Sequence, residues 1–197
     1  MFTGLIGAVG RLAARGARDD GFRITVETGA LPLASAAVGD SIAVNGVCLT
    51  AVALGAGRFD ADVSGATLAA TTLGGLAEGA RLNLERALTL ATPLGGHLVS
   101  GHVDGVGEVV AVAPVGESRM LRVRVPHALA RYVARKGSVC VDGVSLTVND
   151  VAGDEFSVNL VAHTLAHTTL GAAAAGDAVN VEVDMLARYL ERLLERD

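Results

Sequence analysis

Asn45-Gly46-Val47-Cys48-Leu49-Thr50 and Asp142-Gly143-Val144-Ser145-Leu146-Thr147 are one pattern written twice, with Ser145 standing 97 residues after Cys48. The same offset of 97 relates Gly4 to Gly101, Phe59 to Phe156 and Asn83 to Asn180. It also carries Thr67-Leu68-Ala69 onto Thr164-Leu165-Ala166, and Thr71-Thr72-Leu73-Gly74 onto Thr168-Thr169-Leu170-Gly171. The chain is a domain followed by its own copy, in register and without a gap. A solenoid repeats every 20–50 residues or so, so this longer, twofold repeat is a duplication. Two units this alike share a fold and a type of pocket. One-sided chemistry therefore belongs at the few positions where they differ.

Each unit, roughly ninety residues long, can bury a core of its own. Short apolar segments at 22–27, 41–44, 48–52, 121–125, 139–141 and 156–160 are punctuated by Gly and Asp. That pattern predicts an antiparallel barrel or sandwich. Asn45-Gly46 and Asp142-Gly143 are preferred pairs for a two-residue hairpin turn, or else they mark a bulge or barrel corner. Helices are few. One is expected over 126–135, with Pro126 in its first turn and Gly137 just past its end. A weaker counterpart falls at 31–37, and short helices are expected within 64–73 and 161–170. After Met185, the residues Leu186, Tyr189, Leu190, Leu193 and Leu194 recur at helical spacing, with Arg188, Glu191, Arg192 and Glu195 between them. This tail helix has no repeat partner and must cover something, either its own barrel or a second copy of the chain. Pro93 and Gly95-Gly96 mark a linker near 87–96, so the expected units are 1–97, 98–184 and the tail 185–197.

Composition removes several classes of function. A net charge of −5, no Trp, two Tyr and four Phe disfavour nucleic acid as a partner. No apolar run is long enough to cross a bilayer. No positive charge precedes the first apolar residues as in a signal peptide, so a cytoplasmic location is expected. Cys48 and Cys140 are not repeat-equivalent, and two cysteines are too few for a disulfide framework or a zinc site. Both are expected to be reduced thiols. Gly105-Val106-Gly107 is too short for a dinucleotide fingerprint. His163 and His167, four apart, could ligate a metal, although a solvated or capping pair is the plainer reading. Lys136 is the single lysine among sixteen Lys and Arg residues. Either a compact ammonium is wanted there or the residue is retained at a helix C-terminus.

Shared hydroxyls at Ser41/Ser138, Thr50/Thr147 and Thr67/Thr164 suit a neutral ligand rich in hydrogen-bonding groups. The asymmetric pairs are Leu5/His102, Asn45/Asp142, Cys48/Ser145 and Ala87/Asp184. The first half thus lacks the imidazole and both carboxylates, and the second lacks the thiol. Duplicated pockets that differ at titratable residues point to divided labour.

Met1-Phe2-Thr3-Gly4-Leu5-Ile6, the run from Gly95-Gly96-His97 through Gly101-His102-Val103-Asp104-Gly105, Lys136-Gly137-Ser138 and the two hexapeptides together resemble the riboflavin synthases of the alpha-chain type. Asn180-Val181-Glu182-Val183-Asp184 and Ala187-Arg188-Tyr189 extend the likeness over essentially the whole chain. The resemblance implies an all-β fold: two tandem, homologous six-stranded antiparallel Greek-key barrels plus a C-terminal helix that builds a homotrimer. Each barrel is expected to bind one 6,7-dimethyl-8-ribityllumazine. The active site would hold two of them, between the N-terminal barrel of one chain and the C-terminal barrel of its neighbour. One lumazine passes a four-carbon unit to the other, giving riboflavin and 5-amino-6-ribitylaminouracil without cofactor or metal.

The substrate contacts carried over to the first pocket are Cys48, Leu49 and Thr50, then Asp62, Val63, Ser64, Gly65, Ala66 and Thr67. Those of the second are Ser145, Leu146 and Thr147, then Asn159, Leu160, Val161, Ala162, His163 and Thr164. Gly4, Leu5 and Ile6, with Gly101, His102 and Val103, complete them, and the 97-residue offset maps each set onto the other. Lys136 matches a residue reached across the trimer interface. For catalysis, His102 and Thr147 are expected to handle the proton of the donor. Ser41 and Cys48 would supply or stabilise the group adding to the acceptor, which Ser145 and Asp184 orient. Gly7 stands where the family usually has Glu, and Ala162 where Pro often stiffens the turn. The alternatives are a non-catalytic lumazine- or flavin-binding protein of the same fold and a duplicated barrel with a structural role. A flavin-binding oxidoreductase would need a nicotinamide domain for which 197 residues leave no room.

Overall fold

The computed structural model describes residues 1–195; the last two positions of the expected tail helix lie outside the described residues. Strands β1 (Ala8–Arg18), β2 (Gly21–Glu27), β3 (Ser41–Val44), β4 (Val47–Gly55), β5 (Arg58–Val63) and β6 (Arg81–Arg86) close into an antiparallel barrel in the order β1-β2-β5-β4-β3-β6. Strands β7 (Gly105–Val115), β8 (Ser118–Arg124), β9 (Ser138–Val141), β10 (Val144–Ala152), β11 (Glu155–Leu160) and β12 (Ala178–Val183) form a second barrel with the same neighbours. Every strand begins 97 residues after its counterpart. Strand β1, which lies outside the apolar runs, is rich in Gly, Ala and Arg, which is why periodicity alone gives it little signal.

Asn45 and Gly46 have φ of +46° and +79°, and Asp142 and Gly143 have +46° and +82°. Val44 pairs directly with Val47, and Val141 with Val144. Each pair is therefore a tight hairpin turn of the primed type. Bends come instead from register shifts at Leu12/Ala14, Ala51/Ala53, Val109/Ala111 and Val148/Asp150, at matching places in the two barrels. Alternation sends Leu49, Ala51, Phe59 and Ala61 into the first barrel, and Leu146, Val148, Phe156 and Val158 into the second. Both interiors are filled by apolar side chains, so Cys48, Thr50, Ser145 and Thr147 face outward.

The barrels join along a reciprocal seam. The backs of the two turns meet so closely that a Cβ on Gly46 would lie 2.7 Å from the Gly143 nitrogen, and one on Gly143 2.8 Å from the Gly46 nitrogen. Asn83 Nδ2 donates to the Asp142 carbonyl at 2.8 Å while its Oδ1 accepts from Thr169 N at 2.8 Å. Asn180 mirrors this, donating to the Asn45 carbonyl at 2.9 Å and accepting from Thr72 N at 2.7 Å. Phe2, Ala43, Val99 and Cys140 bury a small apolar core at the same junction.

Short helices α1 (Gly65–Ala70) and α3 (Ala162–His167) follow β5 and β11. Between β8 and β9 the helix is only α2 (His127–Ala130), followed by turns, and no helix forms over 31–37. A helix over 126–135 is thus too long an expectation: the residues after Ala130 turn back to start β9. Lys136 sits in a left-handed conformation, φ +66°, beyond those turns, so retention at a helix C-terminus does not account for it. No described helix is long and apolar enough to cross a membrane.

Helix α4 (Met185–Leu194) is capped by Asp184, whose Oδ1 accepts from Leu186 N at 3.0 Å. Polar contacts hold it to its own barrel. Arg188 pairs with Asp104, the Tyr132 hydroxyl donates to Glu191, and Arg131 reaches Glu191 at 2.9 Å. Its apolar stripe is left open, with Leu186, Tyr189, Leu190, Leu193 and Leu194 between 59% and 80% exposed. Packing of that stripe on its own barrel, one of the two expectations for the tail, is not what the structure shows.

Asp142 and its counterpart Asn45 make the same bond, each Oδ1 accepting from the backbone of Asn180 or Asn83. Burial pushes the Asp142 carboxyl from its ordinary 3.8 up to about 7, against the pull of the Asn180 N–H. The folded chain therefore holds this proton more tightly than the unfolded chain. The resulting penalty on stability grows as pH rises from about 4 to about 7. Asp142→Asn keeps the acceptor and removes the charge. Its stability gain in denaturant unfolding should be small at pH 4 and about 2–4 kcal/mol at pH 8. An equal difference at both pH values would refute this origin.

Candidate active site

Two buried glutamates, one on the last strand of each barrel, set the backbone of the segment that leads into that barrel. Glu85 Oε1 accepts from Thr3 N at 2.7 Å and Thr3 Oγ1 at 2.6 Å, and Oε2 accepts from Gly4 N at 2.9 Å. Glu182 does the same for Ser100 N, Ser100 Oγ and Gly101 N at 2.6, 2.7 and 2.9 Å. Burial raises both carboxyls above their ordinary value while these donors pull them down. The role of this pair is absent from the sequence reading, although Glu85 and Glu182 are 97 apart and the repeat itself carried the signal.

Each tethered segment then crosses to the other barrel. Ser145 N donates to the Gly4 carbonyl at 2.8 Å, and Cys48 N to the Gly101 carbonyl at 2.8 Å. Gly4 has φ +75° and would place a Cβ 2.5 Å from Ser145 Cβ; Gly101 has φ +80° and would place one 2.6 Å from Cys48 Cβ. Only glycine permits both the left-handed turn and the contact. Beyond the crossings, Ile6 packs on the core of the second barrel and Val103 on that of the first.

The expected contact residues accordingly fall into two like stations on the outer walls. At the first, Cys48 and Thr50 of β4 face out beside Ser41, which pairs with Thr50 across the ladder. The exposed Asp62 lies one residue before the end of β5, and Val63, the last residue, turns inward to the core. Ser64 Oγ then accepts from Thr67 N at 3.3 Å to cap α1, the helix that carries Gly65, Ala66 and Thr67. Gly101, His102 and Val103 complete this wall. At the second station, Ser145 and Thr147 stand beside Gly4, Leu5 and Ile6. Asn159 and Leu160 end β11, Val161 precedes α3, and Ala162, His163 and Thr164 open that helix. Leu49 and Leu146 point into the barrel cores and back the stations from inside.

Leu5, Thr50, His102, Lys136 and Thr147 are exposed, so both stations are open on the outside. His102 borders a cleft of about 350 Å³ under α4, lined also by Arg188, Tyr189 and Arg192. Lys136 N donates to the Val148 carbonyl at 2.8 Å, next to Thr147. Asp184 caps α4, and its charge opposes the lowering that burial imposes on the His97 imidazole. His97 Nδ1 lies 2.6 Å from Ser145 Oγ, a contact that sequence reasoning missed because 48 residues separate the two. His163 and His167 stack ring on ring at 4.1 Å, with His167 Nδ1 donating to the His163 carbonyl at 2.8 Å.

The lumazine binding domain model matches residues 3–87 and again 100–184. A riboflavin synthase of Photobacterium phosphoreum is 47% identical over 194 residues, covering 98% of this chain and 89% of that one. A riboflavin synthase of Mycobacterium tuberculosis (strain ATCC 25618 / H37Rv) is 48% identical over 198 residues, covering 98% of each. Among solved structures, LumP complexed with riboflavin superposes with a TM-score of 0.85 at 24% identity, covering 93% of this chain and 100% of that chain. At that identity the likeness is one of fold.

The two cysteines differ in access. Cys48 is half-buried, whereas Cys140 is fully buried and burial pushes its thiol up. Iodoacetamide should modify Cys48 in the folded chain and Cys140 only after denaturation, as read by peptide mass spectrometry. Equal labelling of both in the native protein would contradict the packing of Cys140.

Proposed function

The chain belongs to the riboflavin synthase family, built from duplicated lumazine binding domains, and we propose that it carries out that family's dismutation of 6,7-dimethyl-8-ribityllumazine. Two molecules of the one substrate yield riboflavin and 5-amino-6-ribitylaminouracil. A four-carbon unit passes between them, so the atoms of two lumazines account for both products and no outside oxidant enters. What supports this reading is a pair of stations built on the same backbone frame that carry unlike reactive side chains, a thiol at Cys48 against a hydroxyl at Ser145 and an imidazole at His102 against Leu5. Like stations suit two copies of one molecule, and unlike side chains suit a donor and an acceptor.

The chemistry needs a proton taken from the C7 methyl of the donor and nucleophilic addition at C7 of the acceptor. Both steps depend on orientation, and holding two rings face to face supplies much of the acceleration. His102 and Thr147 handle the donor's proton. Ser41 and Cys48 supply or stabilise the group adding to the acceptor, and Ser145 and Asp184 orient it. The substrate contacts are the station residues described above, with Lys136 reaching a neighbouring chain.

In this reading the working unit is a homotrimer in the cytoplasm, with each active site holding two lumazines between the N-terminal barrel of one chain and the C-terminal barrel of the next. The open stations and the uncovered stripe of α4 support it, since a large exposed apolar patch marks an interaction surface. The functional units are 1–97, 98–184 and the tail 185–197, in which α4 carries the self-association.

Purified protein mixed with the lumazine alone should form one riboflavin per two lumazines consumed, followed by absorbance. Tight binding without product would place the chain with non-catalytic lumazine-binding proteins. General-base catalysis contributes roughly 100- to 10,000-fold, so His102→Gln should lower turnover on that scale with lumazine affinity largely retained. Unchanged turnover would remove His102 from the chemistry. Deleting residues 185–197 should give monomers that bind lumazine and turn it over poorly. A truncated chain that still sediments as a trimer would refute the role of the tail.

A further inference from the structure

Ser145 is enclosed more tightly than its counterpart Cys48. A Cβ on Gly4 would lie 2.5 Å from Ser145 Cβ, and one on Gly96 would lie 2.9 Å from it while colliding with the Thr3 carbonyl. Two glycines thus press the lead segment and the linker onto this serine. The second brings the next residue, His97, over the hydroxyl, with His97 N donating to the Thr3 carbonyl at 3.2 Å. His97 Nδ1 then meets Ser145 Oγ at 2.6 Å. Among the described residues no side chain hydrogen-bonds the Cys48 sulfur, so the two stations differ in this respect as well as in thiol against hydroxyl.

We propose that His97 is a positioning residue: it locks the rotation of the Ser145 hydroxyl at the second station and so aims it at the bound lumazine. His97 Nε2 is buried and has no partner. A neutral imidazole carries one proton, and only Nδ1 has a group to give it to. That network assigns the proton to Nδ1, leaves a bare lone pair at Nε2, and frees the Ser145 O–H to donate to a ligand. Burial favours this neutral ring. A free serine hydroxyl samples three rotamers; one whose oxygen already accepts a short bond from a walled-in ring keeps a single direction. The proposal rests on the dismutase reading, and on Ser145 touching substrate within it.

The test is a double-mutant cycle on the full chain with lumazine as substrate. His97→Ala should lower kcat about tenfold, the scale of one lost oriented hydrogen bond, with KM nearly unchanged. His97→Asn, whose amide nitrogen can stand where Nδ1 does, should recover most of that loss. In a Ser145→Ala background, His97→Ala should cost less than about twofold further, because the group it aims is gone. A full tenfold loss persisting in that background would overturn the proposal and make His97 an independent contributor. So would equal kcat in all His97 variants when the unsubstituted chain is active. Should His97→Ala fail to fold, the cycle with His97→Leu in its place carries the same decision. Failure of the unsubstituted chain to form riboflavin would instead remove the dismutase reading, and the proposal with it.

Discussion

The whole molecule depends on a closest approach between two turns. Gly46 and Gly143 meet back to back at a distance no side chain could share. That contact brings Asn83 and Asn180 within reach of the opposite barrel, where each amide bridges two backbone groups. The bonds are reciprocal, as in an isologous dimer whose partners happen to be covalently joined. One rotation, imposed by four glycine- and asparagine-type residues, therefore fixes where everything outside the barrels must lie. On this seam the buried Asp142 stands where the other turn has Asn45, so the symmetry is broken there by an ionisable group.

From that rotation the stations follow. Each barrel interior is solid with apolar side chains, so a ligand can be held only against an outer wall. The wall is completed by the segment that leads into the opposite barrel, tethered by Glu85 or Glu182 and crossing at Gly4 or Gly101. A station is thus never the property of one barrel. This explains why the glycines of the lead segments matter as much as the hydroxyls they face: Gly4 and Gly101 combine a positive φ with contact at Ser145 and Cys48. Symmetry supplies two equal frames, and single substitutions at Cys48/Ser145 and Leu5/His102 make them unequal.

Helix α4 stands apart from this economy. Its polar face is tied to the second barrel through Asp104, Arg131 and Tyr132, while its leucines face outward. Polar contacts of this kind orient a helix without supplying much burial, and burial is what an amphipathic helix needs from a partner. The stripe that the spacing Leu186, Tyr189, Leu190, Leu193 announces is real. Among the described residues, the chain's own core does not cover it.

Much was legible in the chain itself, for definite reasons. The 97-residue offset exposed the duplication, and short apolar runs punctuated by Gly and Asp pointed to antiparallel strands. Asn-Gly and Asp-Gly named their turns because only residues tolerant of positive φ serve there. Local signals of this kind survive in any tertiary context. The Gly- and Arg-rich strand β1, the shortness of α2 and the open face of α4 were not legible, since each is set by what packs alongside. Nor was the bond between His97 and Ser145, or the carboxylate tethers at Glu85 and Glu182, which join residues 48 to 82 positions apart. The sequence by itself determined two copies of one barrel and the reactive groups on each. Which groups share a station was decided only when the two turns met, because a contact between distant segments has no local pattern to betray it.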